Sequence, residues 1–337
     1  MKIAINGFGR IGRPVMEIAL ENPELEVVAI NDLADIENLA YLLKYDTVYG
    51  VYEHDIETRD GNLIVGGKEI KVLSEKDPAK LPWKEMGVDI VFECTGIFKD
   101  QESAGAHLKA GAKKVVISTP TKDDTVKTVV MGCNEEELTE ENNVISMASC
   151  TTNCVAPMMK VLDEKFGIEK SLMSTIHSYT STQSLVDGPA KKDMRRGRAA
   201  AQNIVPSTTG AAIAATKTLP ALKEKFDGMA FRVPIPVGSV TDVVALLKKD
   251  VTEDEINNAF KEASEGELEG ILQVTDEPLV SHDIVESTYS SIVQTDLTKV
   301  VDGNLVKAVA WYDNEWGYSN RLIDLGVFLK KFIISEE

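Results

Sequence analysis

Residues 145–154 read I-S-M-A-S-C-T-T-N-C, with a helix-like run V-A-P-M-M-K-V-L-D-E-K-F directly behind. Two cysteines four apart, the first crowded by hydroxyls, could be a metal clip, a disulfide, a buried apolar pair or a reactive thiol. A zinc site needs three or four ligands at short spacing, and neither a histidine nor a third cysteine lies near Cys150 and Cys154, so no metal is expected. The chain has four cysteines, and its start, M-K-I-A-I-N-G-F-G-R, lacks the unbroken apolar stretch of an export signal. A reducing cytoplasm is therefore expected and a stable disulfide is not. The i, i+4 spacing puts both thiols on one helical face in opposite surroundings. Cys154 falls among V-A-P-M-M and reads as core. Cys150 follows Ser149 at the helix start, where free N–H groups and the dipole lower a thiol pKa. Two readings of Cys150 stand here, a reactive thiol and a capped, inert one. Cys94 and Cys133 lie in apolar, strand-like runs and read as buried structural thiols.

His177 lies on the strand-like S-L-M-S-T-I-H-S-Y-T among polar neighbours. A cysteine at the end of one domain and a histidine on the adjoining sheet make the arrangement that nucleophilic catalysis needs. His54, His107 and His282 read as structural. The segment G-P-A-K-K-D-M-R-R-G-R at 188–198 gathers Lys191, Lys192, Arg195, Arg196 and Arg198 in a chain of net charge −18. It is either a solvated or subunit-facing surface or a trap for phosphate groups. The acidic balance disfavours nucleic acid and anionic membrane as partners, so an anionic ligand must be drawn in by such a local patch.

The elements that must carry these residues follow from pattern. A length of 337 residues with 43% hydrophobic composition suits two domains with real cores, and no run of 18 apolar residues suggests a membrane span. The first half alternates short, continuously apolar strands with helical runs, which indicates a doubly wound, mostly parallel sheet covered on both faces. The G-G at 66–67 reads as a hairpin inserted in it. After residue 168 the strands lengthen and alternate apolar with polar, with a D-G turn at 302–303. That suits an α+β domain whose mostly antiparallel sheet has one helix-covered face. Domains over 1–149 and 150–314 are expected, with a helical segment over about 315–337 packing back on the first.

N-G-F-G-R-I-G places Gly7, Gly9 and Gly12 in a G-x-G-x-x-G pattern between a strand and a helix. Asp32 answers it at the end of the second strand, at the offset a dinucleotide site uses. The glycines let the backbone approach a pyrophosphate at a helix N-terminus, and Asp32 would bond a ribose hydroxyl and repel a 2′-phosphate.

With these residues stand N-D at 31–32, L-L-K-Y-D at 42–46, E-C-T-G at 93–96, A-S-C-T-T-N-C at 148–154, R-V-P-I-P at 232–236 and W-Y-D-N-E-W-G-Y-S-N at 311–320. Together they resemble the glyceraldehyde-3-phosphate dehydrogenase family, essentially from end to end. The resemblance implies a Rossmann-type NAD domain and a catalytic domain in a cytoplasmic homotetramer acting on glyceraldehyde 3-phosphate and inorganic phosphate. It implies Cys150 as nucleophile and His177 as its partner, with Arg10, Ile11, Asp32, Lys76, Ser118 and Asn314 on NAD, Asn314 holding the nicotinamide amide. Phosphate recognition would fall to Ser149, Thr151, Thr180, Thr182, Arg195, Thr209, Gly210 and Arg232, and residues from about 182 to 205 would pack between subunits. Leu33 and Pro189 would crowd a 2′-phosphate. The chain departs from the family at Met147, where Asn is usual, and at Ile235, Pro236 and Val237, where T-P-N is usual, which removes polar groups near the active-site strands. Two alternatives share the resemblance: an erythrose-4-phosphate dehydrogenase, which Thr180 and Thr182 suit less well, and a catalytically silent NAD-binding regulator, whose mark would be loss of Cys150 or His177.

Overall fold

The computed structural model describes residues 1–190 and 193–333. Two compact units divide the chain. The first takes residues 1–129, 135–148 and the segment from Ser319 onward; the second takes 130–134 and 149–318.

Strands of the first unit are β1 (Lys2–Asn6), β2 (Glu26–Asn31), β3 (Tyr45–Asp46), β4 (Gly50–Val51), β5 (Ile56–Arg59) and β6 (Asn62–Val65). They continue with β7 (Lys68–Leu73), β8 (Ile90–Glu93), β9 (Lys114–Ile117), β10 (Lys127–Thr128) and β11 (Val144–Ser146). Nine form one sheet in the order β10-β11-β9-β8-β1-β2-β7-β6-β5, and β3 pairs with β4 apart from it. The sheet is parallel from β10 to β7 and antiparallel at β6 and β5. Every residue of β8 and β9 is buried, as the continuously apolar runs require of strands covered on both faces. Gly66 and Gly67, both at positive φ, turn β6 into β7 with Val65 paired to Lys68. The winding direction reverses at β1, between β8 and β2, so the carboxyl ends of these strands form the crevice where α/β sheets bind ligands. From the C-terminal helix Trp316–Leu329, Gly326 sits so close to the Phe92 ring that a Cβ would meet it at 2.8 Å.

The second unit holds β12 (Ile168–Ser178), β13 (Val205–Thr208), β14 (Phe226–Val233), β15 (Ser239–Leu247), β16 (Leu272–Thr275), β17 (Ser291–Gln294), β18 (Lys299–Val301) and β19 (Leu305–Tyr312). Their order is β13-β14-β12-β15-β19-β17-β16, with β18 beside β19. Only the β12–β14 and β16–β17 pairs are parallel. The helix Cys150–Phe166 packs on one face through Cys154, Val155, Met158 and Leu162, all buried. The opposite face leaves Leu172, Val244 and Leu305 exposed. Asp302 and Gly303 take positive φ in the turn from β18 to β19.

Candidate active site

The helix Cys150–Phe166 starts where the chain passes from the first unit to the second. Ala148 adopts φ +54°, unusual for a residue with a Cβ, and its N–H donates to Ser146 Oγ at 3.1 Å. Ser149 is the N-cap: its Oγ accepts the Thr152 N–H at 3.1 Å. Cys150 is thus the first helical residue, and its own N–H and that of Thr151, which have no intrahelical acceptor, turn to the sulfur.

β12 brings His177 to this thiol, with Nε2 3.4 Å from Cys150 Sγ. β14 runs beside β12 in a register that pairs His177 with Arg232. Arg232 Nη1 lies 2.7 Å from His177 Nδ1 and 3.0 Å from Ser178 O. Nδ1 thus meets a donor in Arg232 and an acceptor in Ser178 O, 2.8 Å away; with Arg232 donating to it, the ring proton sits on Nε2, facing the sulfur, and the other tautomer would donate from Nδ1 to Ser178 O. Burial, reinforced by the charge of Arg232, lowers His177 to about 3. The ring is neutral at pH 7.

The thiol departs from expectation. Burial pushes Cys150 above its ordinary value, and Arg232 with the Thr151 hydroxyl and the two N–H groups offsets this only in part. Helix-terminal donors do reach the sulfur, but the loss of solvent around it outweighs them. At rest the pair is a thiol and an imidazole, both neutral. Cys154 is fully buried, its thiol pushed up to about 12, in keeping with a core role. Cys94 and Cys133 are partly exposed rather than buried.

Tyr312, at the end of β19, was not singled out by the sequence. Its hydroxyl bridges Thr151 Oγ1 at 2.9 Å and Thr175 Oγ1 at 2.8 Å, and its ring meets His177 edge-on with centroids 5.9 Å apart. A polar handle on a buried aromatic needs partners, and these two threonines supply them while tying the nucleophile's helix to the histidine's strand. The only signal for this in the sequence is the position of Tyr312 within W-Y-D-N.

Among the expected phosphate ligands, Thr180 and Thr182 share a hydrogen bond of 2.9 Å between their hydroxyls. Gly210 caps the helix Ala211–Thr218, and Thr209 Oγ1 accepts the Ala211 N–H at 3.1 Å. Arg195 is exposed and pairs with Asp193 at 3.3 Å; Arg198 pairs with Asp187 at 3.0 Å. Arg196 instead bonds Ser207 Oγ at 2.6 Å and Thr208 O at 3.2 Å, beside Thr209, and its charge bears on Arg232. The arginine brought toward Arg232 is therefore Arg196, not Arg195. Lys191 and Lys192 lie outside the described residues.

In the first unit Gly7 takes φ +93°, and a Cβ there would stand 2.7 Å from Thr95 N; a Cβ on Gly12 would meet Gly7 O at 2.0 Å. Both positions admit only glycine. A Cβ on Gly9 meets nothing within 4 Å, so the turn is open on this side. Asp32 Oδ2 accepts the Phe8 N–H at 2.8 Å and Oδ1 the Ala34 N–H at 2.9 Å, holding the carboxylate at the end of β2. Ile11 precedes the helix Gly12–Glu21, Ser118 is buried after β9, and Lys76 is exposed. The Arg10 side chain is engaged by Asp46 and lies over the Tyr49 ring. Beneath the turn, buried Glu93 accepts from Asn6 Nδ2, from the N–H and hydroxyl of Thr95, and from His107 Nε2 at 3.2 Å. Trp83 Nε1–H donates to His107 Nδ1 at 2.9 Å, which places the ring proton on Nε2. His107 is thus structural, as expected; Glu93 went unnoticed in E-C-T-G.

A dinucleotide-type unit joined in one chain to a thiol–imidazole pair in a second unit defines a class, the NAD-linked dehydrogenases. Comparison with known proteins narrows this. Residues 1–101 match the family model of the glyceraldehyde 3-phosphate dehydrogenase NAD binding domain, and residues 149–314 that of its C-terminal domain. The chain is 54% identical over 330 residues to a glyceraldehyde-3-phosphate dehydrogenase of Geobacillus stearothermophilus, covering 98% of each. It is 53% identical over 332 residues to one of Streptomyces coelicolor and 52% over 332 residues to glyceraldehyde-3-phosphate dehydrogenase 1 of Bacillus subtilis, again covering 98% of each. The chain belongs to the glyceraldehyde-3-phosphate dehydrogenase family, and NAD is its cofactor.

Proposed function

We propose that the protein oxidises D-glyceraldehyde 3-phosphate with NAD and inorganic phosphate to 1,3-bisphosphoglycerate, with Cys150 as nucleophile and His177 as acid–base partner. The observation that carries the reading is the 3.4 Å approach of Cys150 Sγ to His177 Nε2, with Arg232 on the far side of the ring. Cys150 sulfur adds to the aldehyde carbon as the thiol proton passes to the aldehyde oxygen, which forms a hemithioacetal. Bound NAD supplies the hydride acceptor. His177 takes the hydroxyl proton at Nε2 as the C–H bond breaks, leaving a thioester on Cys150. The Cys150 N–H would leave the sulfur to donate to the carbonyl oxygen as charge develops there. Inorganic phosphate attacks the thioester carbon; the acyl phosphate leaves, and the departing sulfur takes the proton back from His177, which restores the neutral thiol and imidazole.

For Nε2 to accept a proton, the ring's other proton has to sit on Nδ1, 2.8 Å from Ser178 O. Arg232 must then release Nδ1. An anionic phosphate draws the guanidinium off by offering a charged acceptor in place of a neutral one. We assign the two phosphate groups to Arg232 and Arg196 with Thr180, Thr182, Ser149, Thr151, Thr209 and Gly210. Gly7, Gly9, Ile11, Gly12 and Asp32 would hold NAD with Lys76, Ser118 and Asn314, and Arg10 through its backbone, since Asp46 occupies its side chain.

Homotetramer assembly belongs to the same reading and is supported by the exposed face of the second sheet, where Leu172, Val244, Leu305 and Ile213 line a groove with Phe226. A cytoplasmic setting suits a nucleophilic thiol. The test is NADH formation from glyceraldehyde 3-phosphate with and without inorganic phosphate. Turnover that needs both supports the reading. NAD binding without aldehyde-dependent NADH would leave a silent NAD-binding protein.

A further inference from the structure

Three donors that the reaction leaves unused converge on one atom. Asn314 Oδ1 accepts from Ser239 Oγ at 2.9 Å, from Ser178 Oγ at 3.0 Å and from the Gly238 N–H at 3.2 Å. A backbone N–H can only donate, so the atom of the Asn314 amide that faces Gly238 is the oxygen. Ser239 Oγ itself accepts the Ser178 N–H at 3.2 Å, which commits its own proton to Asn314. Gly238 can present its N–H here because it takes φ +90°, where a Cβ would stand 2.2 Å from Ser281 O. All four residues are buried. An asparagine amide turned by 180° would fill the same space with the opposite polarity, and these contacts exclude that state. Ser178 also connects to the other half of the site, since its carbonyl faces His177 Nδ1 at 2.8 Å and Arg232 Nη1 at 3.0 Å.

We propose that Ser178, Ser239 and the Gly238 N–H are positioning groups that lock the Asn314 amide with Nδ2 outward. So held, Asn314 can only donate to the nicotinamide amide. It selects the carbonyl oxygen over the amino group of that amide and fixes which face of the ring receives hydrogen. Because Ser178 serves both His177 and Asn314, the base and the ring are set relative to one another through a single residue. The inference rests on the reading that Asn314 contacts the nicotinamide amide, and it adds the groups that decide how.

The test compares NAD with ADP-ribose, which lacks the nicotinamide, in Ser178→Ala, Ser239→Ala, the double variant and Asn314→Ala. Loss of one neutral hydrogen bond should weaken NAD about fivefold in each single variant and more in the double. ADP-ribose should bind all of them within about twofold of the parent, which also reports that they fold. With aldehyde deuterated at C1, deuterium should enter one face of the reduced cofactor in the parent and both faces in the double variant. Ser239→Thr, which keeps the hydroxyl, should restore NAD binding. Equal weakening of NAD and ADP-ribose in the serine variants would overturn the proposal in favour of a structural role. A selective NAD loss in Asn314→Ala but not in the serine variants would overturn it while sparing the Asn314 reading. No selective loss in Asn314→Ala would remove the reading itself.

Discussion

Arg232 holds a position in which one substitution should change three measurable things at once. Its Nη1 donates to His177 Nδ1 at 2.7 Å, its charge lowers His177, and it is the largest counterweight to the burial that raises Cys150. In Arg232→Ala the ring proton should move to Nδ1 and donate to Ser178 O. The Cys150 thiol should rise further, so less thiolate is present at neutral pH. The substrate phosphate also loses a charged partner. A charge-assisted hydrogen bond is worth about 1.5–3 kcal/mol, so kcat/KM for glyceraldehyde 3-phosphate should fall about ten- to a hundredfold. Unphosphorylated glyceraldehyde feels only the change at the thiol and should lose less. The 15N resonances of His177 report the tautomer directly: the proton should sit on Nε2 in the free enzyme, shift toward Nδ1 with saturating inorganic phosphate, and sit on Nδ1 in Arg232→Ala with or without it. Equal losses toward both aldehydes, together with a tautomer that ignores phosphate, would refute the reasoning and leave Arg232 a purely structural bond to the ring.

Arg196→Ala should impair use of inorganic phosphate while Arg195→Ala, whose side chain pairs with Asp193, stays within about twofold of the parent in the same steady-state assay. Cys150 should be the first thiol alkylated by iodoacetamide, since the Arg232 charge and the N–H groups at the helix start favour its thiolate, and its rate should go on rising above pH 9 because its own pKa is raised; peptide mapping that finds Cys154 labelled first would reject the assignment. NAD should be preferred over NADP, and Asp32→Ala should narrow the gap in kcat/KM, because a carboxylate held at the end of β2 bonds a ribose hydroxyl and repels a 2′-phosphate; equal values for the two cofactors in the parent count against this. Val244→Asp on the exposed sheet face should shift the sedimentation coefficient from a tetramer toward smaller species without changing the far-ultraviolet circular dichroism.

Much of this molecule could be read from local sequence because local rules govern it. Gly7 and Gly12 are required by a backbone approach that any side chain would block, so the G-x-G-x-x-G turn was legible without coordinates. Gly66-Gly67 and Asp302-Gly303 turn their strands for the same reason, positive φ. Ser149 before an apolar helix announces an N-cap, and with it the placement of Cys150. What depends on contacts distant in sequence was not legible. Only the parallel register of β12 and β14 sets Arg232 beside His177, and only the end of β19 brings the Tyr312 hydroxyl between Thr151 and Thr175. The basic stretch at 188–198 offers several candidate arginines, yet Asp193 and Asp187 pair with Arg195 and Arg198, while Arg196 turns to Ser207. The thiol is the clearest case. Its helix-terminal position, a local property, argues for a lowered pKa, but the shift is set by how much solvent the folded chain removes from the sulfur, and desolvation is a property of the tertiary structure alone.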